Sequence, residues 1–216
     1  MAFREINDKM IEATVAPGRR LFSRRGAMLA YRGEVSFTPN LTSGRGGAMS
    51  ALGRRIAGEA APLMTVEGSG TVYFGHGGHH VHVVRLTGDT LYVEADRLLA
   101  FEDTLEQGTV FLGAQGGVMG LVRGQATGQG LFTTTLTGHG CAAVMAHGGV
   151  VELPVRPQRP VHVDPQAYVA HHGAVRNRLS TAVGWRELVG RGSGEAFQLE
   201  LSGQGVVFVQ ASEEKL

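Results

Sequence analysis

A chain of 216 residues with 43% hydrophobic content can enclose a packed core, and its length suits one large all-β domain or two small ones. Its 20 basic and 19 acidic side chains leave a formal net charge of +1, which gives no general drive toward nucleic acid or an anionic membrane. One cysteine, Cys141, excludes an intrachain disulfide framework and suits a reducing compartment, while 33 glycines, about twice the usual ~7% share, suit many tight turns.

The opening MAFREINDKMIEA carries charges and no apolar signal segment. No later stretch reaches the ~18–20 uninterrupted apolar residues of a membrane helix. The expectation is a soluble cytoplasmic protein without membrane insertion. Residues 12–37, including Leu21-Phe22 and Arg25-Gly-Ala-Met-Leu-Ala-Tyr31, read as strands broken by a turn. Ala48 to Ala57 places Met49, Leu52 and Ile56 at helical spacing after the glycine-rich Ser43 to Gly47, so one short helix is expected near 48–57.

Residues 65–105 then lie over residues 135–175 without a gap. Gly138 follows Gly68, Gly148 follows Gly78, Val163 follows Val93 and Ala170 follows Ala100 by the same 70 residues. Both copies open on Gly-x-Gly, run through an apolar strand to a glycine turn, and continue as short alternating runs (Val81 and Val83; Val151 and Leu153). They close on Leu98-Leu-Ala100 and Tyr168-Val-Ala170. Period-2 runs separated by Gly, Pro and Asp predict antiparallel strands. The Gly-x-Gly pairs lack the third glycine and βαβ context of a dinucleotide fingerprint, and are read as backbone-spacing residues at strand starts or bulges. Ala174 to Gly184 reads as helical or irregular. A third Gly-x-Gly, Gly203 and Gly205, implies a third module split between 12–37 and 195–210, so that the first and last strands pair. The whole of 1–216 is then a single all-β domain of repeated antiparallel β-modules in a pseudo-threefold arrangement, a sandwich or barrel.

Two groups of side chains are candidates for chemistry. His76, His79, His80 and His82 fall within seven residues, and on a strand His80 and His82 share a face. Neutral imidazoles so placed suit zinc, copper, iron or nickel, which makes a metal-dependent enzyme on a jelly-roll-like barrel one alternative; the bland reading is a solvated hairpin tip. His139, His147, His162, His171 and His172 are scattered and read as satisfied or exposed. Arg19, Arg20, Arg24, Arg25, Arg54 and Arg55 can grip phosphate, which makes RNA or an anionic surface a second alternative. Few aromatics interleave with them, so nucleic acid is not the expected partner. Cys141, following Gly-x-Gly in an apolar strand, reads as a buried small residue.

Gly26-Ala-Met-Leu-Ala-Tyr31-Arg-Gly33, Arg55-Ile-Ala-Gly58-Glu59, Asp96-Arg-Leu-Leu-Ala-Phe101, Val163-Asp-Pro-Gln-Ala-Tyr-Val-Ala170 and Gly194-Glu-Ala-Phe to Gln210 occur in this order. Together they resemble the bacterial branch of the "altered inheritance of mitochondria protein 24" family across nearly the whole chain. The resemblance implies a fold similar to the tryptophan RNA-binding attenuation protein and a homo-oligomer, with a trimer among the assemblies expected. It implies no established reaction and no catalytic residues. It also places an aromatic after Val169-Ala170, where this chain has His171-His172. The resulting expectation is a non-enzymatic oligomeric β-scaffold with no cofactor, organising protein partners still to be identified; a divalent metal enters only with the histidine alternative.

Overall fold

The computed structural model describes residues 2–40, 63–111, 132–180 and 198–213. These form one 13-stranded antiparallel sheet, and the expected helix near 48–57 lies outside the described residues. The repetition seen in the sequence becomes a repetition of strand pairing. In the first unit, β5 (Leu63–Phe74) pairs along one edge with β4 (Met28–Pro39). Along its other edge β5 pairs in turn with β2 (Met10–Val15) and β3 (Leu21–Arg24). In the second, β9 (Phe132–Ala146) has β7 (Leu98–Glu102) and β8 (Leu105–Phe111) on one edge and the long β6 (His80–Glu94) on the other. In the third, β13 (Gln198–Gln210) lies between β12 (Tyr168–Ser180) and the pair β10 (Val150–Val155) and β11 (Val161–Val163). An extra strand, β1 (Phe3–Asn7), pairs with β2. The only described helical turn is a 3-10 turn, Ala95–Arg97, between β6 and β7.

The long strand therefore closes each unit, and the units follow one another along the chain. Among the described residues the expected pairing of first and last strands is absent: the sheet runs from β1 at one end to β13 and β10 at the other. The physical reason is that β13 has both edges taken by its own unit, with β12 on one and β10 and β11 on the other. The segment read as helical or irregular from Ala174 is strand as far as Ser180. Its partner β13 fills the ladder, which local composition alone does not reveal.

Neighbouring units join by one further ladder. β3 meets β7 with Leu21 opposite Glu102, Phe22 opposite Phe101 and Ser23 opposite Ala100. β6 meets β12 with Leu91 opposite His172, Tyr92 opposite His171 and Val93 opposite Ala170. Every residue of the second junction lies 70 beyond its counterpart in the first, so the register is the same. Side chains cross these junctions too. One core cluster combines Ile11, Val66, Val72 and Phe74 with Leu99, Ala100, Ala143 and Met145. A second combines Leu91, Phe101, Leu136 and Val144 with Val169, Ala170 and Phe208. Burying apolar area in this shared way stabilises adjacent units jointly, at roughly 25 cal/mol per Å².

The Gly-x-Gly pairs sit in the middle of β5, β9 and β13, not at strand starts. Gly70 faces Gly33 across the β4–β5 ladder, and a Cβ on Gly70 would run into the carbonyl oxygen of Arg32. Gly205 stands in the same relation to Gly173 and the carbonyl oxygen of His172. Two backbones approach too closely there for a side chain, which is the requirement that selects glycine within a strand.

Candidate functional site

Arg97, His171 and Gln210 are buried at the junction between the second and third units, whereas Thr133, Thr134 and Asn177 are buried within the second and third units themselves. Arg97 is 1% exposed. Its Nε donates to Glu94 Oε2 at 2.7 Å and its Nη2 to the Gln166 carbonyl at 3.2 Å, and its Nη1 donates to Gln210 Oε1. Gln210 in turn accepts the His147 backbone N–H at 3.0 Å and donates to the Gln166 and Ser212 carbonyls. A guanidinium out of water needs a carboxylate and filled donor positions, and this network supplies both. It ties the second unit to the third. At the first junction the ties are lighter: Arg24 Nη1 donates to the Asp96 carbonyl at 2.8 Å, and Asp103 accepts the Arg20 backbone N–H at 3.1 Å.

Beside Arg97 lies a buried aromatic group. The Tyr168 hydroxyl donates to the Tyr92 carbonyl at 3.1 Å and accepts from His171 Nδ1 at 2.8 Å, an arrangement that fixes the His171 tautomer. The His171 ring stacks on Tyr92, with centroids 4.7 Å apart and planes 9° from parallel. Burial, helped by neighbouring His172, pushes the His171 pKa down to about 4, so the ring is neutral. Burial also pushes the Tyr168 phenol well up. The imidazole thus does the packing work of an aromatic ring, as Phe101 does 70 residues earlier. His172 turns the other way and donates Nδ1–H to Asp89 at 2.7 Å. Burial alone would raise the Asp89 pKa, but the hydrogen bonds from His172 and from the Thr87 N–H outweigh it and hold it low.

The four clustered histidines have different neighbours. His76 Nδ1 is 3.4 Å from the Gly26 carbonyl. His79 meets His147 edge to face at 4.5 Å, and burial together with that second imidazole lowers its pKa. His80 stands opposite Ala146 in the ladder. His82 contacts Glu152 at 3.2 Å and lies against Phe208. Among the described residues, no three His, Cys, Asp or Glu side chains come together in a grouping that could hold a metal. Of the arginines, Arg19 and Arg25 are exposed, Arg20 and Arg24 serve the first junction, and Arg54 and Arg55 lie outside the described residues. Cys141 is buried, and burial raises its thiol pKa. Among the described residues no helix is long and apolar enough to cross a membrane.

Among the described residues, three exposed large apolar side chains follow one another closely on β4. Met28, Leu29 and Tyr31 are 40%, 52% and 49% exposed. An open cleft of about 360 Å³ adjoins them, lined by Asn7 to Met10, Leu29 and His76 to Gly78. Sequence reasoning missed Arg97, Tyr168 and Gln210. The aromatic position was within reach, because Tyr31, Phe101 and His171 are spaced at the repeat interval.

The fold has a solved counterpart. The crystal structure of protein SPYM3_0169 from Streptococcus pyogenes is similar with a TM-score of 0.72 and 16% sequence identity, over 97% of this chain and 92% of that one. Among curated proteins none matches the chain. The family model described as Mitochondrial biogenesis AIM24 matches residues 3–212. With the match spanning all three units, the chain belongs to the AIM24 mitochondrial biogenesis family.

Proposed function

We propose that this protein is a non-enzymatic, homo-oligomeric β-scaffold of the cytoplasm that organises protein partners on a rigid strand surface. Its three units repeat in a pseudo-threefold manner, like modules of the tryptophan RNA-binding attenuation protein. The carrying observation is the use made of the interior polar groups. Arg97, Tyr168, His171 and Gln210 bond one unit to the next, and so spend their hydrogen-bonding capacity on holding the sheet together. An uncovered apolar strand, β4, supplies a surface for association. A trimer is among the assemblies that the family resemblance implies.

Light scattering on untagged protein tests the reading. A mass that is a multiple of 22.9 kDa at micromolar concentration is expected, and a clean monomer overturns the assembly. The alternatives have their own signatures. Stoichiometric metal that is lost in His80→Ala/His82→Ala would replace the scaffold with a metal enzyme. RNA binding that falls steeply with added salt would replace it with an arginine-based nucleic-acid surface.

A further inference from the structure

The two internal junctions define a rule. The short strand before the turn of one unit (β3, then the end of β6) pairs with the strand after the turn of the next (β7, then β12). Each junction places one aromatic ring against another: Phe22 against Phe101 at 5.1 Å, and Tyr92 against His171 at 4.7 Å. Continued by the same 70 residues, the third donor strand is β11, with Val161, His162 and Val163. The acceptor still unused is β4, with Ala30, Tyr31 and Arg32. Both halves of a third junction exist, at opposite ends of the sheet. Among the described residues β11 pairs only with β13, and β4 only with β5.

Exposure marks the same gap. Tyr31 is 49% exposed, whereas its counterparts Phe101 and His171 are each 1% exposed. Leu29 is 52% exposed, whereas Leu99 and Val169 are fully buried. Ala30 is exposed, and Ala100 and Ala170 are buried. The first unit carries the apolar face of an acceptor without a donor strand over it. His162, the matching ring, is exposed on β11.

We propose that a second copy of this chain fills the gap: β11 of one copy pairs antiparallel with β4 of the next. Val161 then lies opposite Arg32, His162 opposite Tyr31 and Val163 opposite Ala30. The proposal rests on the oligomeric reading above and gives it a geometry. The contact is head-to-tail, so every copy has one donor and one acceptor edge, and where the rotation between copies closes, the result is a ring whose units count in multiples of three. Pairing also removes the exposed edges that would otherwise template uncontrolled aggregation.

Residues directly opposite in a ladder hold their Cβ atoms about 4.5–5.5 Å apart, within adjustment of a disulfide. The test is oxidation of Tyr31→Cys/His162→Cys, run beside light scattering of the unmodified chain. The proposal expects a ladder of covalent multimers under non-reducing denaturation, and no multimers from Tyr31→Cys or His162→Cys alone. A cross-linked single chain would mean that the units close within one molecule, and dimers from Tyr31→Cys alone would mean symmetric β4–β4 pairing; either overturns it. An oligomer by light scattering without the 31–162 link overturns this geometry and leaves the scaffold reading standing, whereas a monomer removes both. In a second variant, Ala30→Arg, the mass is expected to fall to a single chain with the unfolding transition retained. An undiminished oligomer would overturn the proposal.

Discussion

The two internal junctions share a backbone register and differ in almost everything else. Between the first and second units the contact is apolar at its centre, with Phe22 on Phe101 and a few hydrogen bonds at the rim. Between the second and third it is polar and buried, with Arg97, Gln210, Tyr168 and a neutral His171. The difference teaches that the ladder sets how units meet, while the side chains across it are free to use either hydrophobic burial or a satisfied polar network. What the second solution cannot tolerate is loss of one member, because the remaining groups stay buried without partners.

Substitutions at Phe101, Arg97 and His171 probe that contrast, and one at Arg159 extends it to the junction between copies. Phe101→Ala removes the ring at the centre of the apolar junction and should cost about 4 kcal/mol by urea unfolding. A loss under about 1 kcal/mol would show that the first junction does not depend on this ring. Arg97→Ala leaves Glu94 and Gln210 facing each other without the cation, and a loss of about 3 kcal/mol is expected in the same assay. If Arg97→Met proved as stable as the parent, the network would be dispensable.

Acid should separate the junctions more gently. The folded-state pKa of His171 lies below its ordinary value, so folding favours the neutral ring. Its contribution is fully present above about pH 6.5 and is lost as pH falls toward 4, by about 3 kcal/mol in all. His171→Phe, which copies the residue at Phe101, should flatten the unfolding midpoint over that window relative to the parent. The Tyr168 hydroxyl keeps its bond to the Tyr92 carbonyl in this variant. Parallel pH profiles for the two proteins would move the acid sensitivity elsewhere.

The smallest effect concerns the proposed junction between copies. Where Asp89 meets His172 inside the chain, the repeat interval sets Arg159 against Arg32. Like charges there weaken association at low salt. Arg159→Asp should therefore tighten it several-fold in dilute buffer, with the gain fading as salt shortens the screening length to about 8 Å. A gain equal at both salt concentrations would separate Arg159 from Arg32.

Much of this architecture was legible in the sequence. Glycine spacing and period-2 alternation located the strands and the 70-residue interval, because turns and half-buried strands leave local marks. Partnership was not legible in the same way. Met28-Leu-Ala-Tyr-Arg32, Leu98-Leu-Ala-Phe-Glu102 and Tyr168-Val-Ala-His-His172 are similarly apolar at their first three positions, yet only the first is uncovered. Arg97 looks like a surface residue because two of its partners lie 69 and 113 residues away. The histidine run looks like a ligand set because its spacing is local, whereas His79 and His82 make their contacts with His147, in the turn after β9, and Glu152 of β10.

That 113-residue separation orders events during synthesis. Arg97 leaves the ribosome long before Gln210 does, so its guanidinium must stay hydrated while translation continues. The middle of the protein can collapse early, but it cannot seal until β13 has emerged and docked. Maturation of this sheet is therefore directional, with the last long strand acting as the latch.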